Sequence, residues 1–284
     1  MFKNYNKIYF IGIGGIGMSS IALYFINYGK QVAGYDKTKN ALTKKLSELG
    51  AQIHYESKTS DIPREFLNNL ETLIIYTPAI SKDNIELSYF FNNNFTVLKR
   101  SEVLGEIAKD KFCIAIAGTH GKTTTSTILS HILFENNINF TSFIGGISEN
   151  YQSNLIQNGN DIILVEADEF DRSFLTLNPN IACITSVDPD HLDIYNSNSE
   201  LQKSFIEFAS KLKSNGVLFK HYDIPIKGVS YGFSKDADYS IKNYYNSKNY
   251  IKSFFKLFSF HLRPCIEEES TCNCMILKSM ELHA

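Results

Sequence analysis

Apolar positions along this chain come in short runs of four to six, separated by stretches with helical spacing. The runs Lys7–Ile11, Val32–Tyr35, Leu73–Tyr76 and Phe95–Leu98 are continuous rather than alternating, the mark of strands buried on both faces. Ala51–His54 is a further short strand. Between them, helices are predicted from Gly17 to about Tyr28 and over Leu42–Leu49, Asn84–Phe91 and Ser101–Ala108, the last capped by Ser101. The alternation resumes with a strand at Phe112–Ala117 and a helix from Lys122 to about Asn136. Strands follow at Phe140–Ile144, ending in Gly145–Gly146, and at Asp161–Glu166, Ile181–Thr185, Gly216–Phe219, Lys227–Gly232 and Asp238–Lys242. Strands alternating with helices predict an α/β fold with parallel sheets covered on both faces. The polar break Ala108–Lys111 divides the chain into domains over 1–109 and 110–242, with 243–284 left as a tail of unassigned structure.

Two strand ends carry glycine-rich turns. The first is Gly12-Ile13-Gly14-Gly15-Ile16-Gly17, followed by a helix, a strand and Asp36, 19 positions after Gly17. In this Rossmann-like βαβ unit Gly12, Gly14, Gly15 and Gly17 allow a tight turn and close approach of the backbone to a diphosphate, and Asp36 is placed to accept from a ribose hydroxyl. The pattern is compatible with NAD and with any nucleotide diphosphate, including a UDP-sugar. The second turn is Gly118-Thr119-His120-Gly121-Lys122-Thr123-Thr124, between a buried strand and a helix. Helix-start N–H groups and the helix dipole favour phosphate oxygens there. Lys122 is suited to the outer phosphates and the Thr123 hydroxyl to Mg²⁺. Only two residues separate its glycines, against four in the usual P-loop.

Composition narrows the setting. The 284 residues include 43% hydrophobic positions, enough for two cored domains. The net charge of −2 gives no electrostatic reason to expect nucleic acid or an anionic membrane as partner. No apolar run approaches the roughly 20 residues of a membrane span, and the apolar stretch after Lys7 is too short for a signal-peptide core, so a cytoplasmic enzyme is expected. Cys113 and Cys183 fall inside apolar runs and read as small core residues.

Carboxylates gather at two further strand ends. Asp161–Glu166 delivers Glu166, Asp168 and Glu169, suited to holding a metal or polarising a water. Ile181–Thr185 leads into Asp188-Pro189-Asp190-His191-Leu192-Asp193, a second candidate metal or catalytic loop. Lys122, Thr123, Glu166 and His191 therefore fall at strand ends of one predicted sheet. The set suits Mg²⁺–ATP, with a second Mg²⁺ near His191, and phosphoryl transfer by positioning and charge neutralisation.

Taken together, Gly12–Met18, Gly118–Thr123, Glu166–Glu169 and Asp188–Asp193 resemble the Mur ligases of peptidoglycan synthesis over about Lys7–Tyr239. Asp171-Arg172-Ser173-Phe174-Leu175 makes the likeness strongest to the members that join L-alanine to UDP-N-acetylmuramate. The resemblance implies a UDP-sugar-binding first domain, a central ATPase domain and a third domain closing over ATP and the amino acid. It implies that the muramate carboxylate attacks the γ-phosphate of ATP, giving an acyl phosphate whose carbonyl the alanine amine then attacks. It assigns Lys122 to the β/γ-phosphates, Thr123 and Glu166 to one Mg²⁺ and His191 to the second, making Lys122, Glu166 and His191 the catalytic set. The first glycine loop then holds a UDP-sugar, with Thr77–Ser81 and Arg100–Glu102 lining the same domain.

The chain departs from that family toward its end. No Gly-Arg-His-Asn-type segment and no third domain follow the central one, so a truncated chain is expected, its last stretch produced by a shifted reading frame, with little or no ligase activity by itself. Tyr244–Phe260 is aromatic and basic, suited to a terminal helix, and His261, Cys265, Cys272 and Cys274 have ligand chemistry for zinc at a spacing unlike common zinc frameworks. Two other function classes remain at this point: a UDP-sugar and nucleotide binder without turnover, and an NAD-dependent oxidoreductase resting on the first glycine loop alone.

Overall fold

The computed structural model describes residues 2–81, 83–188, 198–247, 250–255 and 259–262. The chain forms two compact units, one of residues 1–107 with 143–156 and one of residues 108–142 with 157–284.

The first unit is built on a five-stranded sheet in the order β3-β2-β1-β4-β5, comprising β1 (Lys7–Ile11), β2 (Gln31–Tyr35), β3 (Gln52–His54), β4 (Thr72–Tyr76) and β5 (Thr96–Lys99). All its ladders are parallel. Ile8, Tyr9, Phe10 and Ile11 are all fully buried, because helices cover both faces. The helices are α1 (Ile16–Asn27), α2 (Ala41–Glu48), α3 (Ile85–Asn92) and α4 (Arg100–Ala108). The chain leaves β1 toward β2 on one side and returns to β4 on the other. That reversal opens a crevice off the carboxyl ends of β1 and β4, where such sheets hold ligands. The glycine loop lies there. Ser101 does not cap α4: the helix already begins at Arg100, directly after β5, and the Glu102 carboxylate accepts the Lys99 N–H at 2.6 Å instead.

The second unit centres on β6 (Phe112–Ala117), flanked in parallel by β9 (Ile162–Glu166) and β10 (Ile181–Ile184). Beyond β10 the sheet continues through β11 (Val217–His221), β12 (Val229–Gly232) and β13 (Tyr239–Ser247), all parallel. Then β14 (Tyr250–Phe255) and β15 (Ser259–Leu262) add on antiparallel. The described part of the tail is therefore strand and not helix. Its candidate zinc ligands Cys265, Cys272 and Cys274 lie outside the described residues. Between β6 and β9 in sequence come β7 (Phe140–Ser148) and β8 (Ser153–Gln157), most of whose residues belong to the first unit. β7 does not stop at Gly145–Gly146 but runs through both glycines, and β8 follows after a short turn.

Two helices complete what positions the site, α5 (Lys122–Glu135) and α6 (Asn198–Ser210). A 3-10 stretch, Phe170–Thr176, packs on α6: Phe174 is buried against Phe205 and stacks on Phe208 with centroids 5.0 Å apart. Cys113 and Cys183 are fully buried, and burial pushes the Cys113 thiol up to about 12. Among the described residues no helix is long and apolar enough to cross a membrane.

Candidate functional site

In the second unit the switch point is β6, since β9 and β10 lie on its two sides. The loop leaving β6 is tied down by the residues that follow β10. Thr185 N donates to Ala117 O at 2.9 Å, Thr119 N to Ser186 O at 3.2 Å and His120 N to Ser186 Oγ at 2.8 Å. The Thr119 hydroxyl lies 2.9 Å from Ser186 Oγ and accepts from Asp188 N at 3.0 Å. Gly118 holds φ at +139°, and a Cβ there would sit 2.9 Å from Ser186 N, so the loop can lie against this neighbour only with glycine. Gly121 is the left-handed N-cap of α5, which has neither a side-chain cap nor an acidic residue in its first turn. The helix start thus presents N–H groups and positive dipole to an anion.

Lys122, Thr123, Glu166 and Glu169 converge at this mouth. Thr123 Oγ1 donates to Glu166 Oε1 at 2.8 Å, bringing a hydroxyl and a carboxylate from α5 and β9 together. Lys122 Nζ donates to Gly118 O at 2.5 Å and pairs with both oxygens of Glu169, at 3.0 and 2.9 Å. Thr124 is half-buried on the first turn of α5, and His120 is exposed. Asp168 accepts the Phe170 N–H at 3.1 Å. His191 and its neighbours Asp190 and Asp193 lie outside the described residues. Thr185 and Ser186, which staple the loop, were not singled out from the sequence; their only signal was their position at the end of a buried strand next to β6.

The donor set fits a hard cation. Mg²⁺ takes one or two protein oxygens together with phosphate oxygens and water, and the Thr123 hydroxyl and Glu166 carboxylate are such a pair. Among the described residues no group of three or more His, Cys, Asp or Glu is placed to hold a metal by itself. Beside the loop is a cavity of about 410 Å³. Ser186 and Asp188 form one wall, Gln202 and Ile206 of α6 another, and His221 and Ile224 a third.

The first unit has its own loop at the end of β1. Gly12 N and Ile13 N donate to Tyr35 O at 2.8 and 3.1 Å, turning the chain sharply. Asp36 accepts Gly14 N at 2.7 Å through Oδ2 and Thr38 N at 2.9 Å through Oδ1. Its carboxylate braces the loop, a role the ribose expectation did not include. Asn40, in a reciprocal capping box with Thr43 at the start of α2, donates from Nδ2 to Gly14 O at 3.1 Å. Gly15 caps α1, again without a side-chain cap or an acidic first turn. The Arg100 guanidinium lies where a Cβ on Gly17 would be, so a cation stands beside the loop. Asn154, fully buried, donates to Ile16 O at 2.6 Å and Ser19 Oγ at 2.8 Å, holding the first turn of α1.

Comparison with known proteins supplies the family. Residues 7–112 match the model described as Mur ligase family, catalytic domain, and residues 116–263 match the Mur ligase middle domain. A UDP-N-acetylmuramate–L-alanine ligase of Christiangramia forsetii is 52% identical over 245 residues, covering 85% of this chain and 54% of the relative. One from Flavobacterium psychrophilum is 53% identical over 239 residues, 84% of this chain and 53% of the relative. The chain thus spans about half the length of the curated relatives it matches. Among solved structures, a UDP-N-acetylmuramate–alanine ligase of Thermotoga maritima superposes with a TM-score of 0.83 at 25% identity, covering 98% of this chain and 65% of that one. With two sheets, each carrying a glycine loop at its switch point, and with both family models matched in order along the chain, this protein belongs to the Mur ligase family.

Proposed function

We propose that this chain carries the UDP-sugar-binding and ATP-binding parts of a ligase that joins L-alanine to UDP-N-acetylmuramate in peptidoglycan synthesis. The observation that carries the reading is the convergence of Lys122, Thr123 and Glu166 at the mouth of the β6 loop. Relatives more than 50% identical bear that ligase's name. In this reading the loop from Gly118 to Thr124 cradles the β- and γ-phosphates of ATP through backbone N–H groups and Lys122. Thr123 and Glu166 hold Mg²⁺, which neutralises phosphate charge. His191 is assigned to a second Mg²⁺. The cavity beside the loop has room for the nucleoside end of the same ligand. Gly12, Gly14, Gly15 and Gly17 accommodate the UDP diphosphate at the start of α1, and Asp36 keeps that loop in shape.

The chemistry is acyl activation. A muramate carboxylate oxygen attacks the γ-phosphorus, ADP leaves, and an acyl phosphate forms. The alanine amine attacks its carbonyl carbon, loses a proton, and inorganic phosphate departs with the carbon–oxygen bond. Isothermal titration of the chain with UDP-N-acetylmuramate and, separately, with MgATP tests the binding half, and both are expected to bind. Alanine-dependent phosphate release tests turnover and separates a ligase from a binder without turnover. Binding of NAD with no binding of either expected ligand would overturn the reading in favour of an oxidoreductase.

A further inference from the structure

The resemblance assigns Lys122 to phosphate but gives Glu169 no task, and the structure links the two. Glu169 is fully buried, whereas its sequence neighbour Phe170 is exposed. Both its carboxylate oxygens lie within 3.0 Å of Lys122 Nζ, whose side chain is 15% exposed. The remaining contacts of the ammonium are carbonyls of its own loop, Gly118 O at 2.5 Å and Thr119 O at 3.5 Å. Glu169 is itself held rigidly. Its carbonyl accepts Arg172 N at 3.0 Å, the preceding Asp168 carbonyl accepts Phe174 N at 2.9 Å, and the Phe174 ring is locked between Phe205 and Phe208.

The two sets of contacts differ in what they cost to break. Loop carbonyls can exchange a lysine proton for water or for a ligand's oxygen. A carboxylate with no solvent exposure gives up its cation only at the cost of separating a buried charge from its counter-ion. We propose that Glu169 is a positioning residue for the phosphate loop. It keeps the Lys122 ammonium at the loop mouth throughout, and an incoming phosphate oxygen replaces Gly118 O and Thr119 O, not Glu169, as the lysine's partner. This rests on the nucleotide reading above. It gives Glu169 a role distinct from the metal-holding role open to it from the sequence, since its carboxylate is ion-paired with Lys122 and accepts from it through Oε1.

A double-mutant cycle in the whole chain tests it, with ADP affinity measured by titration in excess Mg²⁺. Glu169→Gln is expected to weaken ADP binding on the order of tenfold or more, and to change it less than about twofold when Lys122 is already alanine, because the effect passes through the lysine. A merely structural Glu169 would cost the same in both backgrounds, which would overturn the proposal. Tighter ADP binding by Glu169→Gln would also overturn it, since Glu169 would then compete with phosphate. If Glu169→Gln loses the folded far-UV circular dichroism signal, Glu169→Asp, which keeps the charge and shortens the reach by one methylene, takes its place in the same cycle with the same outcomes. Absence of ADP binding by the unaltered chain would sink the nucleotide reading and this inference together; binding by the unaltered chain with equal losses in both backgrounds would sink only the inference.

Discussion

The Thr123 hydroxyl reaches across from the first turn of α5 to donate to Glu166 Oε1 at the end of β9, 2.8 Å away. Neither residue is the other's sequence neighbour; parallel pairing of β6 with β9 brings them together. If the pair holds the nucleotide's Mg²⁺, its value is specific to the metal-bound ligand. Thr123→Ala is expected to weaken MgATP by about 1.5–3 kcal/mol, the worth of a hydrogen bond involving a charged group. ATP titrated in EDTA should be affected far less. Equal losses with and without Mg²⁺ would assign Thr123 to the phosphates instead.

Gly118 is the loop position least able to accept a side chain. Its φ of +139° and the approach of Ser186 N both exclude a Cβ without movement. Gly118→Ala is expected to cost about 1–3 kcal/mol of local strain, and to displace the loop from Ser186. The expected readout is a lower melting temperature together with lost nucleotide binding. A variant that melts and binds like the parent would show that the loop is not held against Ser186 in solution.

Much of this was legible from residue order, and the reason differs by feature. Phe112–Ala117 announced itself because a strand buried on both faces has no polar alternation to confuse it. The glycine loops were legible because their chemistry is local. Gly145–Gly146 misled because paired glycines usually mark a break, whereas here the ladder carries the chain through them to Ser148. The Ser101 cap misled because a serine before an apolar run is a good cap only if the helix starts after it, and α4 starts at Arg100. Glu169 was visible only as one of three clustered carboxylates. Its pairing with Lys122, 47 positions earlier, depends on how β6 and β9 align and on the buried anchor at Phe174, which no local pattern encodes.

Asp36 offers a test of the first loop that is independent of the second. Its two oxygens hold Gly14 N and Thr38 N. Asp36→Ala removes both acceptors at once and leaves two amides to find water. The expected outcome is weaker UDP-N-acetylmuramate binding by roughly 1–3 kcal/mol, from the loss of charge-assisted bonds that shape the loop. Titration with UDP alone locates the effect. If UDP binding falls as much as binding of the full sugar nucleotide, the loop serves the diphosphate end; if UDP binding is unchanged, Asp36 acts elsewhere.

A last prediction concerns pH and a buried carboxyl group of the first unit. Glu86, at the start of α3, is fully buried beneath the first unit's sheet. It accepts from the Tyr9 hydroxyl at 2.5 Å and from Lys58 N at 3.1 Å, with His54 Nε2 at 3.6 Å. Burial is the dominant influence and holds its carboxyl above the ordinary value of 4.5, outweighing the opposing pull of the Tyr9 bond and of His54; Asp61 adds to the rise. The same burial and the Glu86 charge push the Tyr9 phenol upward. A raised acid binds its proton more tightly in the folded chain than in the unfolded one, so its stabilising contribution is complete below about 4.5 and is lost as pH climbs through the folded value. Glu86→Gln removes that titration while keeping the shape. The stability of the parent relative to Glu86→Gln, from urea unfolding at a series of pH values upward from 4.5, should therefore fall as pH rises and then level off. A difference that grows with pH would mean that the Tyr9 and Lys58 hydrogen bonds, and not burial, govern this carboxylate.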